Sequence, residues 1–352
     1  MTDEATSPLP PLPSEALIID HFPQLEFERA ILISQGRGQA ASLLSKRSPS
    51  AAITAWYFDL YLADLARDAI TQSGSTAQVA CAADLPDGEA CVVVFPISSR
   101  GEAELTRDLL QQAHERLRIG GTLITSVDNP KDQWLREQLS GMFDKVSVQE
   151  ADGGRLYTCR KTKPLRKLKN FEAEIVFRDE DNLIKCLTRP GVFSHRHVDP
   201  GARQLMQTME IEPGSRVLDL GCGAGTVSLA AALRAEDVEV HAVDCNARAV
   251  DCTRRGAELN EVQSLHTHLN HDGDLKLDGT IDMVLANPPY YSDFSIAERM
   301  VQTAETSLRP GGAMLFVTKH PNWYEERLPQ TLEDVAIFES GKYWVACGRK
   351  PS

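Results

Sequence analysis

An apolar run, IDMVLA at residues 281–286, is followed at once by the tetrapeptide NPPY at residues 287–290. The run predicts a buried strand, and the two prolines end it because neither has an N–H group to donate to a neighbouring strand. A residue that precedes a proline is held in the extended region of backbone space. Asn287 and Pro288 both precede a proline, so the Asn287 side-chain oxygen and the Pro288 carbonyl are predicted to be fixed acceptors. Tyr290 adds a ring on which a planar group can stack.

Two fixed acceptors beside an aromatic ring suit group transfer to an sp² nitrogen that carries hydrogens, such as a base amine or an amide. The lone pair of such a nitrogen is delocalised, so a strong base alone would not make it nucleophilic. It needs acceptors that orient the NH₂ group and stabilise positive charge as that charge develops. The predicted catalytic residues are therefore Asn287, Pro288, Pro289 and Tyr290.

A second polar strand end lies upstream, in the segment VLDLGCGAG at 217–225. A strand, a glycine loop and an Ala-rich helix follow one another here, as they do where a nucleotide-type cofactor crosses the carboxyl ends of a parallel sheet. Asp244 ends the next predicted strand about 20 residues on, where an acid can accept from ribose hydroxyls. Thr226 stands where a dinucleotide fingerprint has its third glycine, which disfavours NAD. Asp219 would repel a pyrophosphate and suits S-adenosylmethionine (SAM), which carries an ammonium and a sulfonium group and no phosphate.

The predicted cofactor-binding residues are Asp219, Gly221, Cys222, Gly223, Gly225 and Asp244. Asp272 or Asn270, near the predicted end of the third strand of this unit, could accept a hydrogen bond from the adenine amine. A solvated turn is the alternative interpretation of that segment. Asn287, at the end of the fourth strand, is expected beside the methyl group and is counted in the cofactor site as well.

The elements that must position these residues occur twice in the chain. LRIGGTLITSVDNP at 117–130 resembles LRPGGAMLFVTKHP at 308–321, and ACVVVFPISS at 90–99 falls on IDMVLANPPY at 281–290. Each copy reads as a helix end, a Gly-Gly turn and a strand. The shared order and spacing predict a tandem duplication of one α/β unit, joined near 160–190.

Further upstream, LISQGRGQAASLL at 32–44 is aligned with VLDLGCGAGTVSLA at 217–230, which places Asp59 on Asp244. The first copy then lacks the polar groups of the second. At the positions of Asp219, Gly221, Gly223, Gly225 and NPPY it has Ser34, Gly36, Gly38, Ala40 and Pro96-Ile97-Ser98-Ser99. We interpret the first half as catalytically empty.

These residues together resemble the class I SAM-dependent methyltransferases, and within them the ribosomal RNA guanine-N2 methyltransferases of the RsmC/RlmG type. The motifs that carry the resemblance are PGVFS (190–194), VLDLGCGAGTVSL (217–229), Asp244, NPPY (287–290) and LRPGGAMLFV (308–317). The resemblance implies an α/β fold of two tandem Rossmann-like methyltransferase domains, the N-terminal one degenerate. It also implies that the substrate is the N2 amine of a guanine in ribosomal RNA, within a ribosomal subunit or its precursor, and that Phe193 lines a lid over SAM. The family often has NPPF and then a His-bearing stretch, where this chain has Tyr290-Tyr291-Ser292-Asp293-Phe294.

The expected organisation is a disordered tail (1–16), a degenerate methyltransferase-like domain that places RNA (17–165), a linker (166–189) and a catalytic domain (190–352). Two other functions stay open at this point. One is another NPPY-type N-methyltransferase, acting on adenine N6, a protein glutamine amide or a small-molecule amine. The other is an RNA-binding assembly factor without activity.

Charge, cysteine content and hydropathy limit the partners and the cellular location that we expect. A net charge of −13 argues against a general polyanion binder. Residues 155–169 oppose that trend with seven cations and no acid, and form either a solvated strand end with a linker or an arm that contacts phosphates. The eight cysteines are scattered without a CxxC pair, which favours free thiols in a reducing cytoplasm and no metal site. No apolar run reaches membrane-spanning length, so we expect no contact with membranes. We also expect the protein to be a monomer in the cytoplasm.

Overall fold

The computed structural model of the chain describes residues 10–289 and 294–352. It divides into two compact units, one ending at Phe171 and the other beginning at Glu172. The first unit contains α1 (Pro13–His21), β1 (Arg29–Ile33), α2 (Gln39–Arg47), β2 (Ala52–Tyr57), α3 (Leu60–Gln72), β3 (Gln78–Cys81), β4 (Ala90–Ile97), α4 (Ala103–Arg116), β5 (Leu117–Val127), α5 (Trp134–Met142), β6 (Val146–Ala151) and β7 (Gly154–Arg160).

The second unit begins with a hairpin and then repeats the pattern of the first. It contains β8 (Ala173–Asp179), β9 (Asn182–Thr188), α6 (Pro200–Thr208), β10 (Arg216–Leu220), α7 (Thr226–Arg234), β11 (Glu239–Asp244), α8 (Ala247–Leu259), β12 (Leu265–Leu269), β13 (Ile281–Ala286), α9 (Ser295–Ser307), β14 (Leu308–Thr318), α10 (Pro321–Arg327), a 3-10 turn (Leu328–Gln330), β15 (Glu333–Ser340) and β16 (Tyr343–Arg349). None of the helices in the described parts of the chain is both long and apolar enough to cross a membrane.

Both units contain a seven-stranded sheet with the same strand order, β3-β2-β1-β4-β5-β7-β6 in the first and β12-β11-β10-β13-β14-β16-β15 in the second. In each sheet the first five strands run parallel to one another. Each of the last two strands pairs antiparallel with the strand that precedes it in this order. The central strands are buried on both faces, so they read as continuous apolar runs rather than as alternating ones. The predicted α/β fold of two tandem Rossmann-like domains is confirmed.

The structure corrects the alignment of the two halves at the glycine loop. Helices α2 and α7 each begin after a glycine in the left-handed region, Gly38 and Gly225. These glycines are counterparts, so the alignment of Gly225 with Ala40 was wrong by two residues. The error has a simple origin, because glycines at every second position match themselves after a shift of two.

The corrected alignment changes the residues compared with the cofactor loop. Leu32 is the counterpart of Asp219, and Tyr57, the last residue of β2, is the counterpart of Asp244. Asp59 instead caps the N-terminus of α3 by accepting from the Leu62 N–H group. The sequence alignment had placed Ser34 and Asp59 at these two positions. With Leu32 and Tyr57 there instead, the first unit has no carboxylate at either position.

Two stretches differ from the expected organisation. Residues 13–16 fall in the expected tail but form the first turn of α1, which begins at a proline as helices often do. Residues 173–188 fall in the expected linker but form the hairpin β8–β9. The hairpin has an alternating pattern whose inward residues join the hydrophobic core of the second unit, namely Ile175, Phe177, Ile184 and Cys186.

The basic segment 155–169 contains both structural and exposed cations. Lys161 is 8% exposed, and its Nζ donates to the carbonyls of Leu117 (2.6 Å) and Glu115 (3.3 Å) at the end of α4. Lys350 makes the matching contact with the Leu308 carbonyl in the second unit. Lys161 is therefore part of the repeated scaffold and cannot be a phosphate contact. The cations of the segment that are exposed are Arg160, Lys163, Arg166, Lys167 and Lys169.

Replacing Lys161 with methionine should destabilise the first unit. The substitution removes a charged donor from two carbonyls at a helix end, and such hydrogen bonds contribute about 1.5–3 kcal/mol. Urea unfolding followed by circular dichroism measures the change. Arg166→Gln is the control for lost charge, because Arg166 is exposed and should unfold like the wild type. Equal stability of Lys161→Met and Arg166→Gln would contradict the structural role.

Candidate active site

The predicted site residues of the second unit gather at one edge of its sheet. The strands β12, β11, β10 and β13 are parallel neighbours, so their carboxyl ends lie side by side. The loop 221–225 follows β10, Asp244 ends β11, Asp272 lies in the turn after β12, and Asn287 follows β13. Ligands of open parallel sheets bind outside such carboxyl ends.

The glycines of the loop have separate reasons to be glycine. Gly221, Gly223 and Gly225 have φ angles of +77°, +56° and +78°, in the left-handed region that side chains disfavour. A Cβ atom on Gly225 would also collide with Thr253 on α8. One on Gly223 would meet no atom of the described residues within 4 Å. Gly225 is thus required by packing, whereas Gly223 presents bare backbone to an open space that a ligand can approach.

Asp244 faces this open loop from the neighbouring strand. Its Oδ2 accepts from the Gly223 N–H group (2.9 Å) and its Oδ1 accepts from the Asn246 N–H group (2.8 Å). A carboxylate has about four acceptor positions. Each oxygen can therefore accept a ribose hydroxyl in addition to its backbone contact. Asn246 in turn caps α8, which holds the carboxylate in place.

Asp219 lies beneath the loop rather than on its surface. It is 3% exposed and accepts a short hydrogen bond from Ser228 on α7. Burial raises the pKa of Asp219 to about 6; the Ser228 hydrogen bond opposes this rise and the charge of Asp244 adds to it. Its side chain contacts α7 beneath the loop, and its direct contact with SAM stays a prediction.

Asp272 lies in an exposed turn at the end of β12. Its Oδ1 accepts from the Asn270 side chain (2.8 Å) and the Asp274 N–H group (3.0 Å), contacts that lower the pKa of the carboxyl group. The Asn270 N–H group donates to the Asp244 carbonyl (3.1 Å), which brings this turn next to Asp244. The turn is exposed, as a solvated turn would be, and it lies close to Asp244, as an adenine contact would require. The adenine contact therefore stays a prediction.

The PGVFS loop is attached to α8 by two side chains. Arg248 is fully buried and donates to the Pro190 carbonyl (2.9 Å), and the Asn246 side chain donates to the Gly191 carbonyl (2.6 Å). Phe193, which follows, is 68% exposed, as an uncovered lid residue would be. The sequence does not predict this role of Arg248, because a cation in an amphipathic helix ordinarily lies on the solvated face.

Asn287 lies directly after β13, and its Nδ2 donates to Asp199 Oδ2 at 2.8 Å. Pro288 is buried and Pro289 half-buried. Tyr290 lies outside the described residues. Asp199 was not among the predicted residues, and its position as an Asp-Pro helix start gave only a capping signal.

The donor set fits SAM. The loop offers bare backbone at Gly223, the nearest charges are the carboxylates of Asp219 and Asp244, and the segment 219–225 contains no cation. An acidic cradle of this kind suits a cationic cofactor with a ribose and does not suit a pyrophosphate.

The same location in the first unit is filled by the chain itself. Glu15, on α1, is 1% exposed and its Oε1 accepts from the Ala40 N–H group at the start of α2 (2.9 Å). A Cβ atom on Gly36 would lie 2.2 Å from Glu15 Oε2. The glutamate thus occupies the loop and helix N-terminus that Gly223 leaves open in the second unit. There, the counterpart of Glu15 is Ala202, which is too short to reach.

Residues 183–346 match the family model of the methyltransferase small domain. Ribosomal RNA small subunit methyltransferase C of Pseudoalteromonas atlantica is 25% identical over 335 residues, covering 93% of this chain and 96% of that protein. Its counterpart in Chromohalobacter salexigens is 34% identical over 193 residues, covering 51% of this chain and 56% of that protein.

The solved structure of the T. thermophilus 16S rRNA N2 methyltransferase RsmC, in complex with AdoMet and guanosine, superimposes with a TM-score of 0.80 at 23% identity. The match covers 96% of this chain and 92% of that one, and at this identity it establishes the shared fold. Fold, site and family model together define a class I SAM-dependent methyltransferase. The family model covers just under half of the chain, and the P. atlantica methyltransferase C resembles the chain along nearly its whole length.

The buried Asp219 makes the stability of the second unit depend on pH. Its folded-state pKa lies above the unfolded value of about 3.9, so the folded protein holds the proton more tightly and Asp219 destabilises the unit as pH rises from about 4 through 6. Asp219→Asn cannot ionise and keeps an acceptor for Ser228. Its stability relative to wild type should rise over this range, by up to roughly 3 kcal/mol.

Urea unfolding of both proteins without cofactor, at several pH values from 4 to 8, measures this difference. Asp272→Asn is the control of opposite sign. Because the folded-state pKa of Asp272 is lowered, the variant should be less stable than wild type at pH 7, and the difference should shrink as pH falls. A pH-independent difference for Asp219→Asn would contradict the buried-charge interpretation.

Proposed function

We infer that this chain transfers a methyl group from SAM to the exocyclic N2 amine of a guanine in ribosomal RNA. The observation that carries the inference is the adjacency of two strand ends, the open glycine loop after β10 and Asn287-Pro288 after β13. A relative named as a small subunit rRNA methyltransferase that matches along nearly the whole length, and a fold shared with a methyltransferase solved with guanosine, support the substrate.

In the proposed reaction, the Asn287 side-chain oxygen accepts a hydrogen bond from the guanine NH₂ group and the Pro288 carbonyl accepts a second. Both contacts strengthen as positive charge develops on nitrogen, so they stabilise the transition state more than the bound substrate. Tyr290, together with Pro289 as a rigid spacer, holds the base by stacking.

The cofactor is held by the backbone of 221–225, including Cys222, with Asp244 on the ribose, Asp272 near the adenine, Asp219 beneath the loop and Phe193 as lid. When bound, SAM supplies an electrophilic methyl group, which N2 accepts with loss of one proton to solvent and release of S-adenosylhomocysteine. The residues of this chain act by orienting and by stabilising charge, and none of them has to act as a strong base.

The domain that ends near residue 165 is proposed to place the RNA, without binding cofactor of its own. The filled loop at Glu15 and the exposed cations of the segment 155–169 support this role. The substrate would be a ribosomal subunit or its precursor in the cytoplasm, and the protein would act as a monomer without a metal. Charge neutralisation at Arg166 and Lys167, with Lys161 left intact, would reduce phosphate contacts without disturbing the scaffold.

Methylation of undermethylated small subunits by the purified protein, followed by nucleoside mass spectrometry, tests the function. Wild type should form N2-methylguanosine. Asn287→Ala should bind SAM with nearly unchanged affinity while turnover falls about 10²–10³-fold, the typical loss for one preorganised electrostatic partner. Formation of N6-methyladenosine, or methylation of protein or small amines alone, would instead establish the alternative NPPY-type activity. Near-normal turnover of Asn287→Ala would refute the mechanism.

Calorimetric titration with SAM should give one cofactor per chain. Glu15→Ala opens the loop of the first unit but leaves Tyr57 and Leu32 where a cofactor site needs carboxylates, so this variant should also bind only one. Asp244→Ala in the second unit loses charged hydrogen bonds, which weakens binding about 10- to 100-fold. Two cofactors per wild-type chain would refute the division of labour between the units.

A further inference from the structure

Asp199 is the hydrogen-bond partner of the Asn287 amide, although 88 residues separate them. It precedes α6, where its Oδ2 accepts from the Asn287 Nδ2 (2.8 Å) and from the Ala202 N–H group (3.1 Å). Ser194, in the PGVFS loop, donates to its other oxygen at 3.4 Å. One carboxylate therefore joins the lid loop, the start of α6 and the acceptor motif.

The chemistry of this contact fixes which end of the Asn287 amide faces Asp199. A carboxylate accepts hydrogen bonds and cannot donate them, so the NH₂ group must face Asp199 and the carbonyl oxygen must face the other way. A rotation of 180° about the last side-chain bond would exchange the two ends. The rotated amide would direct NH₂ at the substrate, and two donors would then oppose each other at the guanine amine.

Gly201 leaves the room that the contact needs. A Cβ atom there would lie 2.8 Å from Asp199 Oδ2 and 2.9 Å from Asn287 Oδ1, closer than real Cβ contacts come. Any side chain at this position would push the pair apart. The first turn of α6 is thus built around the two side chains.

The first unit provides an internal comparison. Helix α1 is the counterpart of α6, with Leu12 at the position of Asp199 and Pro96 at that of Asn287. The copy that carries no acceptor motif has lost both partners, yet its helix forms at the same place in the fold. The contact between Asp199 and Asn287 is therefore not required to build the scaffold.

We propose that Asp199 is a positioning residue, which holds the Asn287 amide with its carbonyl oxygen toward the amine to be methylated. The proposal rests on the function proposed above, because it assigns a role within that site. It predicts that the carboxylate acts on turnover and leaves cofactor binding unchanged.

Asp199→Ser separates positioning from helix capping. Serine is a good N-cap, but its side chain is one atom shorter at the acceptor and can rotate its hydroxyl into a donor. Turnover at saturating SAM should fall roughly 10- to 100-fold, the loss of one charged hydrogen bond, while SAM affinity stays within about twofold of wild type. Asp59→Ser makes the same substitution at the N-cap of α3 in the first unit, and should leave turnover unchanged. Wild-type turnover in Asp199→Ser would overturn the proposal.

An exchange of the two side chains tests the direction of the hydrogen bond. Asn287→Asp alone sets two carboxylates against each other and should be almost inactive. Adding Asp199→Asn restores one donor and one acceptor in reversed order, and the introduced carboxylate still offers an oxygen to the guanine amine. The double variant should be at least about tenfold more active than Asn287→Asp. A double variant no better than Asn287→Asp would overturn the proposal.

A readout without catalysis keeps this test separate from the proposed function. The Asn287 side-chain NH₂ resonances, assigned by comparison with Asn287→Ala, should lie downfield in wild type, because a carboxylate accepts from them, and shift upfield in Asp199→Ser. Unchanged resonances would overturn the positioning role. A wild-type protein that shows these shifts but methylates no rRNA guanine would refute the proposed function while the contact stands.

Discussion

The parallel pairing of β10 with β13 is the contact on which the site depends. Val217 pairs with Met283 and Leu220 with Ala286, so the residues after each strand emerge side by side. One strand end carries the glycine loop and the other carries Asn287, although about 60 residues of chain lie between them. A slip by one residue would turn every side chain of a strand to the opposite face of the sheet and change its packing partners. The glycine loop and Asn287 lie close together because two buried strands are neighbours.

The duplication separates what the fold needs from what the chemistry needs. Both units keep the strand order, the left-handed glycine before α2 or α7 and the lysine that binds carbonyls at the C-terminal end of a helix. They differ at the carboxyl ends of the strands, where the first unit has Tyr57 and Pro96 in place of Asp244 and Asn287. Function of this kind resides in residues placed on a scaffold, and the scaffold persists without them.

Two buried charged residues hold the glycine loop and the PGVFS segment of the second unit in place. Asp219 is ionisable within the core and Arg248 is fully buried, and each is held by contacts that lie close to the loop or to the lid. Such groups do not add much to net stability, because desolvation offsets their interactions. They fix the loop backbone and the PGVFS segment instead. In the first unit, Glu15 occupies the corresponding loop and lies against the N-terminus of α2. Backbone N–H groups stabilise a carboxylate at such a helix end.

The sequence by itself determined the strand ends, the glycine loop, the acceptor motif and the duplication, because each is written in neighbouring residues with a fixed spacing. It misplaced the two copies by two residues at the loop, since glycines at alternate positions carry no unique register. It could not show that Asp199 faces Asn287, that Glu15 fills the first loop, or that Lys161 and Arg248 are buried. Those contacts join residues 25 to 88 positions apart. Only the packing of helices against the sheet brings such residues together, and only the tertiary structure decided them.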